Sequence, residues 1–246
     1  MRATVITIFP DLVRAFLGQG LIGRAVETGA LAPKVVDLRD HAHDRHRTVD
    51  DVPFGGGGGM VLKPEPLFEA VEAHKQPGDH VILLSPQGAP LTHALVADLA
   101  ARPGLLLICG RYEGVDERVR FALVDREVSI GDYVLMGGEL PALVLLESVA
   151  RHLPGVLGNE TSAAQDSFVQ GLLDYPHYTR PQEFRGLKVP EVLVSGDHGA
   201  VARWRRREAL AATFRKRPDL LARAALDETD RAMLASIERD STPPKA

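Results

Sequence analysis

Cysteine is nearly missing from this chain: Cys109 is the single one in 246 residues. A lone thiol rules out an intrachain disulfide framework and points to a reducing compartment. Its setting, directly after the apolar run Leu105-Leu106-Leu107-Ile108, reads as that of a small core residue. Long hydrophobic runs are also missing. No stretch approaches the ~18 apolar residues that cross a bilayer. The first apolar run closes at Pro10-Asp11 with no small-residue cleavage site behind it, so no secretion signal is expected. Nor is there a surplus of positive charge. The net value of −4 argues against a uniformly basic nucleic-acid binder while leaving room for a local patch. No internal repeat is present. The usual phosphate fingerprints are absent: Gly55 to Gly59 is followed by Met60, Val61 and Leu62 rather than by Lys and Ser or Thr, and no G-x-G-x-x-G joins a strand to a helix. His41, His43 and His46 are closely spaced, but no H-E-x-x-H or cysteine pair accompanies them, so they make no recognisable zinc site. The stretch Asp44-Arg45-His46-Arg47 reads either as a surface that meets an anion or as a salt-bridged loop. These absences leave a cytoplasmic globular protein of ordinary apolar content, 45%.

What is there alternates. Apolar, strand-like runs at Ala3–Phe9, Lys34–Leu38, His80–Leu84, Gly104–Cys109 and Glu127–Ile130 are separated by helical spacing at Asp11–Leu17, Leu21–Thr28, Pro64–Lys75, Thr92–Ala101, Val115–Leu123 and Leu140–His152. Strands alternating with helices predict an α/β fold, a parallel sheet with helices packed on its faces. The pattern then breaks. Pro154 to Pro181 is rich in Gly, Ser, Thr, Asp and Pro and reads as a long linker. Beyond it Ser195-Gly196-Asp197 starts a basic helix, Gly199–Arg217, and a last helix runs from a cap at Asp227 to Arg239, ahead of a frayed tail, Ser241–Ala246. The expected organisation is an α/β domain to about residue 157 and a small, mainly helical domain after the linker.

Three glycine-bearing loops follow three of the strands: Ser85-Pro86-Gln87-Gly88, Cys109-Gly110-Arg111-Tyr112-Glu113-Gly114, and Ser129 to Pro141 with Gly131, Gly137 and Gly138. One such corner is as readily a tight connection as a ligand site. Three at the ends of parallel strands form one pocket. In the basic helix, Arg203, Arg205, Arg206, Arg207, Arg215, Lys216 and Arg217 stand against only Asp197 and Glu208, a surplus of five. Such a patch suits phosphates of a nucleic acid, with Trp204 either a stacking face or part of the core.

Read together, these segments resemble a family, the bacterial tRNA (guanine-N1)-methyltransferases of the SPOUT superfamily. The resemblance is carried by His43 to Asp51, Pro53 to Met60, Leu84 to Gly88, Gly110 to Asp116, Ser129 to Pro141, Pro154 to Gly158, Asp166-Ser167-Phe168, Gly171 to Asp174, Pro176 to Pro181 and Ser195-Gly196, in family order along the chain. Gly58 departs from it, standing where relatives often have a proline. The resemblance implies a deep trefoil knot in residues 1–157, a flexible interdomain linker over 158–181 whose segment around 158–175 orders only when tRNA arrives, and a tRNA-binding domain over 182–246. It implies S-adenosylmethionine held by Leu84, Ser85, Pro86, Gly110, Tyr112, Glu113, Ile130, Gly131, Asp132, Tyr133, Val134, Leu135, Gly137, Gly138 and Pro141. It implies Asp166 as general base, Arg151 as the group that stabilises charge on the guanine O6, and His46, Asp50 and Gly59 as residues that place the guanosine, with Arg203, Arg205 and Arg206 on the tRNA. A homodimer is implied, as is magnesium, for which Glu113 or Asp166 are the candidates although the sequence has no dedicated metal cage. Two other readings stay open at this point: a SPOUT enzyme with another RNA target, and an RNA-binding protein that has lost its cofactor.

Overall fold

Leu105, Leu106, Leu107 and Ile108 are fully shielded from solvent, and they fix the middle of the fold. Their strand, β6 (Gly104–Cys109), lies between β1 (Arg2–Thr7) and β5 (Asp79–Pro90) in a five-stranded sheet completed by β2 (Ala32–Asp37) and β7 (Arg126–Ser129). The order is β2-β1-β6-β5-β7 and every pairing is parallel. A run apolar at every position suits a strand covered on both faces, because successive side chains point to opposite sides. Leu105 and Leu107 join Ala3, Val5, Ile82 and Leu84 on one face, under helices α1 (Pro10–Leu17), α2 (Gly20–Glu27), α4 (His93–Ala100) and α6 (Glu139–Ala150). Leu106 and Ile108 join Ile6, Val81 and Leu83 on the other, under α3 (Pro64–His74) and α5 (Glu117–Leu123). Full burial of each such side chain contributes roughly 1.5–3 kcal/mol. The parallel α/β sheet read from the sequence is therefore the one observed.

This computed structural model describes residues 1–158 and 166–241, and the chain divides into two compact units, Met1–Glu160 and Thr161–Ala246. Most element ends agree with the sequence reading, and the departures have local causes. Helix α5 starts at Glu117 rather than Val115, because the Asp116 carboxylate accepts the Arg118 N–H at 2.9 Å and caps it. Helix α6 starts at Glu139 rather than Leu140. Strand β5 runs past Leu84 to Pro90, with a register skip in which Leu84 and Ala89 both face Val128 of β7. The skip pushes Ser85 to Gly88 out as a loop. Gly88 lies so close to the β7 backbone that a Cβ would sit 2.4 Å from Val128 N. Two small antiparallel ladders, β3 (Asp50–Asp51) with β4 (Val61–Leu62) and β8 (Glu183–Phe184) with β9 (Leu187–Lys188), escaped the sequence reading. Two-residue strands are too short to show alternation. The second is closed by Arg185 and Gly186, both at positive φ.

In the second unit, α7 (His198–Lys216) is capped by Asp197, whose carboxylate accepts the Ala200 N–H at 2.9 Å. It is followed by α8 (Pro218–Leu221) and α9 (Glu228–Ser241), where Asp227 accepts the Asp230 N–H at 2.7 Å. The core is small: Leu172, Leu210, Ala211 and Ile237. Of the stretch read as a linker, residues 159–165 lie outside the described residues, as do 242–246 of the tail. Residues 166–174 are packed on the helices rather than extended. Leu172 is buried, Leu173 N–H donates to the Thr213 hydroxyl at 2.9 Å, and Asp174 N–H donates to the Ser167 hydroxyl at 2.9 Å. The chain turns into this anchor through Gly171 at φ +73, which interrupts any regular period and so hid the buried leucine beside it.

Candidate active site at the strand ends

Because β6, β5 and β7 are neighbours and parallel, their C-terminal ends share one edge, and the loops that follow them converge. They enclose a cavity of about 280 Å³. The β5 end contributes Leu84, Ser85 and Pro86; the β6 end contributes Gly110, Tyr112 and Glu113; the β7 end contributes Ile130, Gly131, Tyr133, Val134, Leu135, Gly137 and Gly138, with Pro141 of α6. Asp132, expected with them, is not on the wall. Tyr133 N–H folds back on Gly131 O at 2.9 Å, and Asp132 is the exposed apex of that tight turn.

The walls are held by backbone. Gly138 N–H donates to Gly110 O at 2.8 Å, and a Cβ on Gly138 would fall 2.7 Å from Cys109 Cα. Only glycine lets the third loop pass this close to the second. Tyr112 holds φ +60, a conformation uncommon for a residue with a side chain and one that collects at functional sites. On the outer side, Glu113 N–H donates to Met60 O at 3.0 Å, and Leu62 N–H to Gly114 O at 3.0 Å. That docking brings Gly59 against the cavity, where its Cβ would meet the Glu113 carboxylate at 2.4 Å. Asp50 sits on the adjoining ladder opposite Leu62. His46 is exposed in a turn made by Asp44, whose carboxylate accepts the His46 N–H at 2.9 Å. Around it, Glu69 takes both His41 and His43, and Arg47 pairs with Asp40. Within Asp44–Arg47 itself, Arg47 forms the ion pair, and Asp44 accepts from the backbone N–H of His46 and Thr48.

One part of the site gave no sequence signal. Glu139, only 1% exposed, accepts the Thr7 hydroxyl at 2.7 Å and Arg111 Nε–H at 3.0 Å, while the Arg111 guanidinium lies 4.3 Å over the Phe9 ring. Burial, then the Glu139 carboxylate, push the neighbouring Cys109 thiol well up, so it stays protonated and inert.

Arg151 follows α6 and is exposed, its N–H on Glu147 O at 3.3 Å. Asp166 belongs to the second unit, where it lines a separate cavity of about 250 Å³ with Gln170, Leu172, Tyr175, Arg205 and Arg206. Arg205 lies 4.9 Å over the Tyr175 ring. Arg203 is exposed on α7, and Trp204 is half-buried with its ring 6.3 Å from that of Tyr178. Arg206, expected on tRNA, has another occupation. It grips the buried Asp230 through two bonds, 2.7 and 2.6 Å, and these hold that carboxyl below its ordinary range. The basic surplus read from the sequence shrinks further, because Arg207 pairs with Asp240 and Arg217 with Asp219. Among the described residues no group of three or more His, Cys, Asp or Glu side chains converges as a metal site, and no helix is long and apolar enough to cross a membrane.

Beyond this geometry, the chain is similar to known proteins over its whole length. The model of a family described as tRNA (Guanine-1)-methyltransferase TrmD matches residues 1–223. Proteins named tRNA (guanine-N(1)-)-methyltransferase are similar from end to end. The one from Moorella thermoacetica is 56% identical over 243 residues, covering 97% of both chains. That of Thermus thermophilus is 54% identical over 240 residues, 98% of this chain and 100% of its own. That of Geobacter sulfurreducens is 51% identical over 245 residues, 99% of this chain and 100% of its own. Matches of this extent settle membership: the chain belongs to the tRNA (guanine-1)-methyltransferase family.

Proposed function

We propose that the protein transfers a methyl group from S-adenosylmethionine to N1 of guanosine 37 in tRNA. The observation that carries this reading is a family match over residues 1–223 that includes all three loops around the strand-end cavity. The cavity suits the donor: Leu84, Ile130, Tyr133 and Leu135 offer apolar surface for an adenine, and the closely approaching glycines expose peptide groups to it. When bound, S-adenosylmethionine supplies a methyl group made electrophilic by its sulfonium.

Guanine N1 carries a proton at neutral pH, so the chain must provide a base. Asp166 takes that proton, and Arg151 stabilises the negative charge that then builds on O6. His46, Asp50 and Gly59 place the guanosine, and Arg203 and Arg205 meet tRNA phosphates. The Arg206–Asp230 pair serves this indirectly, by holding α9 to the helix that carries those arginines. The N-terminal domain, to about residue 157, ties the trefoil knot that holds the donor. The stretch 158–181 bears the base, and the helical domain from 182 receives tRNA. The working form is a homodimer in the cytoplasm, in which the donor of one subunit meets Asp166 of the other. The described residues do not form a magnesium cage around Glu113 or Asp166, and no step here passes through a metal.

The test is methyl transfer from labelled S-adenosylmethionine to a tRNA transcript with G37 and to its A37 variant. Label is expected at N1 of G37 only, with D166A slower by about 10²–10⁴-fold. Label at another position, or wild-type rates in D166A, sinks the reading.

A further inference from the structure

The donor proposed above carries one net positive charge, yet two arginines lie on the cavity wall, Arg111 and Arg120. Each would repel it. Arg120 is answered on the wall itself, by Glu117 and Glu127. Arg111 is answered from beneath, by the buried Glu139. The carboxylate is kept in place by the Thr7 hydroxyl at the end of β1, so the ends of β1 and β6 are tied together at the first residue of α6. The fit is close: a Cβ on Gly137 would lie 2.1 Å from Arg111 Nε and 2.6 Å from Glu139 Oε2. With both arginines neutralised, Glu113 is the lining carboxylate outside these pairs.

A buried carboxylate is costly unless its charge has a partner, and here the partner faces the ligand. We propose that Glu139 is a positioning residue that tunes ligand charge preference: it fixes Arg111 against Phe9 and cancels its charge, so that the cavity favours a cationic donor. The inference rests on the donor being S-adenosylmethionine. It separates the donor from its demethylated product, S-adenosylhomocysteine, which has the same shape apart from the methyl but lacks the sulfonium charge. A unit charge about 10 Å from the ligand, at an effective dielectric of about 20, changes a binding constant roughly tenfold.

Calorimetric titration of the full-length wild type, E139Q and the R111Q/E139Q double variant with both ligands tests this. E139Q is expected to lose roughly tenfold more affinity for S-adenosylmethionine than for S-adenosylhomocysteine, and the double variant to restore the wild-type ratio. A merely structural role would weaken both ligands alike, so an equal loss, or no change for either, overturns the proposal. Should E139Q fail to fold in a thermal melt, R111Q alone decides: the ratio shifts towards S-adenosylmethionine, and an unmoved ratio overturns the proposal. A wild type that binds neither ligand removes the donor assignment, and the proposal with it, which is a different result from an unmoved ratio.

Discussion

The two units are built by opposite means. In the first, two apolar clusters sandwich a parallel sheet, and the site at its edge is shaped by backbone: peptide bonds between loops, and glycines where loops pass each other. In the second, among the described residues, a small cluster around Leu172, Leu210, Ala211 and Ile237 forms the core, and part of the fixing is polar: Arg206 on Asp230, Arg207 on Asp240, and the Leu173 amide on Thr213. Of these ion pairs the one to the buried Asp230 carries the weight, because Arg207 and Asp240 meet in solvent, where a pair contributes little. The contrast fits the division of labour proposed for them. In that proposal the first unit holds the donor, and the RNA is met in the second by Arg203 and Arg205, which are outside these fixing pairs.

If the labour is divided in this way, it should be possible to damage one half without the other. The largest effect expected is that of D166A, which removes methyl transfer by about 10²–10⁴-fold while calorimetry shows donor affinity kept. Next is Leu210→Ala in the small core, which is expected to destabilise the second unit by about 2–5 kcal/mol. Hydrogen exchange should show loss of protection in α7 and α9 with that of β6 unchanged. Gly138→Ala is the converse. Its Cβ meets backbone atoms of Cys109 and Gly110, which cannot swing aside. A cost of about 1–3 kcal/mol and loss of donor binding are expected, with tRNA affinity, measured by filter binding, largely kept.

Acid sharpens the same comparison with a smaller effect. Burial, opposed by Asp125, holds the His80 imidazole below its ordinary 6.5. Its neutral form is favoured in the fold, so that stability is present above pH 6.5 and is lost as pH falls below it. Asp230 is held below 3.8 by the Arg206 hydrogen bonds, so its contribution persists above that value and is lost only as pH falls further. Hydrogen exchange on the full chain from pH 7 to pH 3 should show β5 weakening first and the α7–α9 contact only at the acid end. In D230N the late step should disappear; its survival would mean that the pair is not what holds α9.

Much of the first unit was legible in the sequence because its signals are local. An unbroken apolar run such as Leu105–Ile108 has few homes besides a covered strand, and glycines at three strand ends mark three loops wherever the chain takes them. What could not be read depends on residues far apart. Thr7 and Glu139 meet across 132 positions, and nothing in either neighbourhood announces it. Arg206 looked like its neighbours on a basic helix until α9 returned with Asp230. Asp132 shares a motif with residues of the cavity wall, but its place at the apex of a turn is decided by one backbone bond.

The register skip in β5 has a thermodynamic consequence. Leu84 and Ala89 both pair with Val128, so the loop from Ser85 to Gly88 is pinned at its two ends to one residue of a neighbouring strand. Its freedom is given up when the sheet forms, at roughly 1–2 kcal/mol for each residue fixed. A ligand arriving later finds that wall already ordered and does not bear the entropy of ordering it. Folding of the sheet and readiness of this wall for its ligand are therefore one event.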